Sequence, residues 1–136
     1  MGGIQMIKAY LAGIESLYEG ENVEVRYSIY EDQHLLSNES IIMEYKKPAI
    51  VGQIALITLL KKLKKYIGKE IVINISDAAL YEVVKGTSTT KNKDVLKMAG
   101  QTREEFAKFP NTVIKDVTND KAELAKWKEA LWNQQK

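Results

Sequence analysis

The junction at Asp77 constrains this chain more than any other feature, because there an apolar segment, Glu70-Ile-Val-Ile-Asn-Ile-Ser76, breaks directly into Ala78 to Lys85. Ile71 to Ile75 is short and rich in β-branched residues, the composition of a strand covered on both faces. The segment after Asp77 reads as a helix, and Gly86 stands where a left-handed C-terminal stop belongs. A strand that passes through one acid into a helix is a building unit of α/β sheets. The C-terminal edge of such a strand is where these sheets place ligand contacts.

The remaining segments fall into order around this unit. Met6 to Leu17 reads as a first strand. Val23 to Tyr30 alternates with period two, as a half-buried antiparallel strand does. Glu31-Asp32-Gln33-His34 supplies turn chemistry, and Leu35 to Tyr45 returns as a third strand. After the break at Pro48, apolar residues Ile50, Ile54, Ile57, Leu60, Leu63 and Ile67 recur every three or four positions, which predicts one helix ended by Gly68. Asp94 to Phe109 is helical, with Gly100 a weak point where it divides into two short helices or stays one. Val113 to Val117 is the fifth strand. Asn119 or Asp120 caps a last helix to about Asn133, whose apolar face is Leu124, Trp127 and Leu131, widened by Ala125 and Trp132.

With 136 residues the chain is expected to form one domain, residues 1–136. Its 45% hydrophobic and 28% charged residues predict a packed core rather than disorder. The longest apolar run, Ile54 to Leu60, is far too short to cross a bilayer. Met1-Gly2-Gly3 begins no recognisable secretory signal. The sequence has no cysteine, which excludes disulfides, thiolate metal sites and cysteine nucleophiles and makes a cytoplasmic address the expectation. A formal net charge of +2 gives no global footprint of a nucleic-acid binder. The densest basic cluster is local: Lys61, Lys62, Lys64 and Lys65, joined by Lys69. It reads either as a solvated helix face or as a surface that follows a phosphate backbone. His34, the single histidine, sits in a predicted turn with no catalytic partner.

The order β-β-β-α-β-α-α-β-α resembles the ribonuclease H fold: an α/β protein with a mixed five-stranded sheet and helices on both faces. Three stretches carry the resemblance. Tyr10-Leu11-Ala12-Gly13 is similar to the family's hydrophobic-Asp-Gly start. Ile75-Ser76-Asp77 with the helix ending Val83-Val84-Lys85-Gly86 is similar to its fourth strand and following helix. Asn119-Asp120-Lys121-Ala122-Glu123-Leu124-Ala125 is similar to the opening of its last helix.

The resemblance implies a site in which four carboxylates hold two divalent metals about 4 Å apart and hydrolyse a phosphodiester. Carried over residue by residue, the first-strand aspartate falls on Ala12. The first-helix glutamate falls on Gln53, or on Gly52 under a one-residue shift. The fourth-strand aspartate is Asp77. The last-helix aspartate falls on Glu123, with Asp120 beside it. Asp77 and Glu123 are thus the residual catalytic positions, and Asp77, Asp120 and Glu123 the acids left to hold Mg2+ or Mn2+ if the chain is a nuclease. Each also has a plainer reading: Asp77 as a helix N-cap, Asp120 and Glu123 as first-turn acids favoured by the helix dipole. Neither Glu15 nor Glu44 is placed to replace the missing acids. The reading that follows is a catalytically degenerate member of the family that binds nucleic acid or assembles with a protein partner or a second copy, without cofactor. The alternatives are a metal-dependent endonuclease with an altered site and a self-associating protein with no nucleic-acid role.

Overall fold

The structure, a computed structural model, describes residues 6–14, 22–44 and 48–132. Five strands, β1 (Met6–Ile14), β2 (Val23–Glu31), β3 (His34–Met43), β4 (Glu70–Ile75) and β5 (Thr112–Asp116), form one sheet in the order 3-2-1-4-5. β1, β2 and β3 pair antiparallel as a meander, while β1–β4 and β4–β5 are parallel. The four helices are α1 (Val51–Lys62), α2 (Ala78–Lys85), α3 (Lys93–Ala107) and α4 (Lys121–Trp132). The predicted element order is therefore observed. The ends assigned to Leu17, Tyr45 and Asn133, and Glu15 itself, lie outside the described residues. His34 opens β3 rather than sitting in the turn, because the hairpin closes over only Asp32 and Gln33, with Asp32 at φ 55°. An aspartate tolerates that left-handed conformation.

Strand alternation divides the core. Ile7, Ala9 and Leu11 of β1, Val25, Tyr27 and Ile29 of β2, and Ile71, Ile73 and Ile75 of β4 face α1. Tyr10 and Ala12 face Ala130 and Leu131 of α4 on the opposite side. α1 differs from its predicted single stripe. It ends at Lys62 in a short 3-10 turn (Lys64–Tyr66), and Ile67 is exposed. Val51, Ala55, Leu56, Leu59 and Leu60 are all buried, which is more than one face. The reason is that α1 lies between the sheet and α3 and buries two sides. Gly68, at φ 101°, turns the chain into β4 after the helix has already ended.

α4 is held on the outer face by polar contacts that the alternation of β2 does not foretell. The last carbonyls of a helix have no intrahelical donors. Here Arg26 Nη1 donates to Leu131 O (3.2 Å), Ser28 Oγ to Ala130 O (2.6 Å) and Asn38 Nδ2 to Ala130 O (3.2 Å). Trp127 Nε1 donates to Leu11 O (2.9 Å), and the Arg26 guanidinium lies 5.1 Å from the exposed Trp132 ring centroid. Among the described residues, no helix is long and apolar enough to cross a membrane.

Two stability outcomes follow. α3 runs unbroken through Gly100, and a Cβ there would meet nothing within 4 Å. Gly100→Ala is expected to stabilise the fold by about 1 kcal/mol in urea unfolding, from helix propensity alone. Burial under α4, then the Glu123 carboxylate, then Tyr30 and Glu129, pushes the Tyr10 phenol up to about 12. A phenol whose folded value is raised contributes stability that is complete below its ordinary value near 10 and is lost as pH rises through 12. The wild-type protein should therefore lose stability between about pH 10 and pH 12 more steeply than Tyr10→Phe, measured by denaturant midpoint against pH.

Candidate functional site

Parallel β1 and β4 end on the same edge of the sheet, and the N-terminus of α1 packs across that edge. Two glycines permit the approach. A Cβ on Gly13 would stand 3.0 Å from Val51 Cγ1, and a Cβ on Gly52 would stand 2.6 Å from Asp77 Oδ2. Asp77 is half-buried and caps α2: its Oδ1 accepts from Leu80 N at 3.0 Å, and its extended backbone leads into the first turn. Its own N–H donates to Asp116 Oδ1 (3.3 Å), an oxygen that also accepts from Thr118 N (3.2 Å) and Thr118 Oγ1 (2.6 Å). Asp116 thus ties the end of β5 to the strand-to-helix junction. The sequence reading gave it no role; only the parallel register of β5 beside β4 brings it there.

Asp77 lines two recesses. A small one, about 70 Å³, is walled by Ala12, Gly13, Gly52, Ala55, Leu80 and Trp127, among others. A larger cleft, about 630 Å³, runs from Gly13 and Gly52 past Asp77 to Ser88, Thr90 and Asn92 in the segment before α3. Of the two α1 positions the sequence offers, Gly52 is the one that faces Asp77. Gln53 is one residue further round the helix, 2% exposed, and points into the α1–α3 contact. Its Oε1 accepts from Thr102 Oγ1 (2.6 Å) and its Nε2 donates to Val95 O (3.3 Å). A buried amide with both ends bonded is a packing element.

The other predicted acids stand apart. Asp120 caps α4 by accepting from Glu123 N (3.1 Å), and the Glu123 carboxylate pairs with Lys126 (3.3 Å). Asp120 and Glu123 line a separate open depression with Tyr81, Lys85 and Asp116, while Asp77 lines neither wall of it. The trio of Asp77, Asp120 and Glu123 is thus not assembled. Among the described residues no three histidine, cysteine or acidic side chains lie together where they could hold a metal ion. Mg2+ is usually held by one or two carboxylates plus substrate phosphate. In the recess that Asp77 lines, its neighbours include an alanine, a glycine and an indole and no second acid, which does not fit the two-metal arrangement that the sequence resemblance implies.

Lys61, Lys62, Lys64 and Lys65 are all exposed, at the far end of α1 from Asp77. Roughly 15 Å of helix separates the two ends. The chain reaches Lys69, whose Nζ pairs with Glu31 at 2.6 Å, just before β4 begins beside Met6. The basic cluster therefore occupies the edge where β4 starts, and Asp77 the edge where it stops. Ammonium groups of Lys65 and Lys69 lie 5.4 and 5.8 Å from the Tyr66 ring centroid.

No family model matches the sequence, and no curated protein matches it. Solved structures do match. RNase H1 from the halophilic archaeon Halobacterium salinarum NRC-1 is similar with a TM-score of 0.73 at 17% identity, over 87% of this chain and 89% of that one. The chain has a ribonuclease H-like fold. LC11-RNase H1, isolated from compost by a metagenomic approach, is similar with a TM-score of 0.69 at 14% identity over 96% of both chains. The same LC11 enzyme in complex with an RNA/DNA hybrid gives 0.68 at 13% identity over 93% of both. At such identities the likeness is one of fold.

The cap role of Asp77 is directly measurable. Asp77→Ala should cost about 1 kcal/mol in chemical unfolding, while Asp77→Asn, which keeps the accepting oxygen, should cost a few tenths at most. Gly52→Ala should destabilise by roughly 1–3 kcal/mol, because its Cβ displaces the Asp77 carboxylate or α1 itself.

Proposed function

We propose that this ribonuclease H-like chain is not a two-metal nuclease and acts as a binding module, holding nucleic acid through backbone charge. The observation that supports the first half is the setting of Asp77, whose neighbours from β1 and α1 are Ala12 and Gly52. Two cations within about 4 Å of each other need several negative ligands to offset their repulsion. The one carboxylate lining the recess, with one oxygen already given to a helix cap, supplies too little charge, and neighbouring Asp116 is committed to Asp77 N and Thr118 outside that lining. The competing reading, a magnesium- or manganese-dependent endonuclease acting through Asp77, Asp120 and Glu123, would need those acids to converge, and they line different recesses.

Two observations favour the second half. LC11-RNase H1, which shares the fold, has been seen with an RNA/DNA hybrid. In this chain the exposed lysines 61, 62, 64 and 65 concentrate positive charge on one edge, next to the Tyr66 ring. A separate observation favours a protein partner or a second copy. Edge strand β3 carries exposed Leu35, Leu36 and Ile42, and among the described strands only β2 pairs with it, leaving its other side open to pairing.

Calorimetric titration with Mn2+ and Mg2+ at millimolar concentration should give no specific heat, and an RNA/DNA hybrid should remain uncut in the presence of either ion. Saturable metal binding lost in Asp77→Asn, or hybrid cleavage, would return the chain to the nucleases. Binding of hybrid, duplex and single strand should weaken steeply with salt. The quadruple Lys→Gln variant at positions 61, 62, 64 and 65 should flatten that dependence by about 0.7–0.9 in log–log slope for each phosphate contact removed. A salt response that is flat in the wild type would leave the protein-partner reading in its place.

A further inference from the structure

The larger cleft beside Asp77 has a chemistry of its own, apart from any phosphate backbone. At about 630 Å³ it is within the size range of small-molecule sites, and it opens where parallel β1 and β4 end, the usual ligand position in α/β sheets. Ile14, Val51, Leu80, Val83 and Val95 give it apolar walls. Among the described residues that line it, Asp77 is the only ionisable one. Lys91 and Lys93 are exposed and are not part of its lining. The Asp77 carboxylate uses Oδ1 for the α2 cap, whereas Oδ2 is turned towards Gly52 and accepts no hydrogen bond from the described residues.

An acceptor oxygen with negative charge, held against apolar walls, gains most from a charged donor that brings its own apolar surface. A phosphate or carboxylate ligand would be drawn by the helix N-termini that line the cleft but would meet the Asp77 charge at close range, and the two effects oppose each other. A hydrated inorganic cation would leave the apolar walls unused and would find one ligand oxygen where it needs several. We propose that this cleft binds a small organic cation, with a planar amidine- or guanidine-type head donating to Asp77 Oδ2 and an apolar body lying against Val51, Leu80 and Val95. The site is independent of the proposed nucleic-acid surface, because the basic cluster sits at the opposite edge of the sheet.

Benzamidine and benzoate have the same shape and opposite charge, so they separate this site from a generic greasy pocket. Amide chemical shifts of the full chain are followed during titration with each. Benzamidine is expected to saturate at millimolar concentration or below, with shifts concentrated at Gly52, Leu80 and residues 88–92, and benzoate to bind at least about tenfold more weakly. Asp77→Asn, which retains the α2 cap, should weaken benzamidine by a similar factor without altering the rest of the spectrum. If that variant does not fold, Ser88→Trp serves instead: it sits in the loop at the rim and should block benzamidine by filling the cleft. Equal binding of the two probes, no binding of benzamidine, shifts located elsewhere, or indifference to both substitutions would each overturn the proposal.

Discussion

The N-terminal turn of α1 packs closely on the ends of β1 and β4 at two glycines, and the geometry of the whole upper edge follows from that contact. Gly13 lets Val51 sit almost on the β1 backbone, and Gly52 leaves its Cβ volume to the Asp77 carboxylate. A larger residue at Gly13 would press α1 away from β1, and one at Gly52 would displace the Asp77 carboxylate or α1. Any shift of α1 would reach the inner core, since Ala55, Leu56, Leu59 and Leu60 pack against the same strands further along the helix. Close packing transmits such a displacement because there are few voids to absorb it.

That contact also sets the electrostatics of the edge. Where the ribonuclease H resemblance implies a first-helix glutamate and a first-strand aspartate, this chain presents a glycine and an alanine, and Trp127 from α4 lines the recess beside them. The indole is fixed by its bond to Leu11 O. Asp77 is the one acid among the described residues lining this recess, and the indole beside it lowers the recess's polarity. Asp77 survives with a structural duty, since it starts α2, and Asp116 holds its backbone in place. In the proposed reading, such an edge serves recognition by one charge and apolar surface.

On the outer face the same economy appears in a different form. α4 buries little beyond Ala130, Leu131 and part of Trp127, so apolar packing alone holds it weakly. Donors from two adjacent strands compensate by satisfying its C-terminal carbonyls. Charge-assisted and buried hydrogen bonds of this sort contribute modestly when made and cost more when one partner is lost. They also fix the axial position of the helix, which places Glu123 near enough to Tyr10 to raise its phenol.

Local pattern was enough to find the elements of this protein. Period two in β2, the β-branched run of β4, the Asp77 and Gly86 boundaries of α2 and the Asp120 cap of α4 are all written in short stretches, because strand pleat, cap chemistry and left-handed glycine act over a few residues. The order of those stretches was enough to reach the ribonuclease H-like topology. Contacts between distant segments were not legible. Whether Gly52 or Gln53 faces Asp77 depends on helix rotation, which α3 fixes by taking Gln53 into a buried bond with Thr102. That Ser28 is wholly buried depends on α4 arriving from the other end of the chain. That the lysine cluster and Asp77 occupy opposite edges follows from the direction in which α1 crosses the sheet. A sequence specifies periodicity and punctuation through neighbours, whereas rotation, depth and which acids meet are settled only when the segments pack.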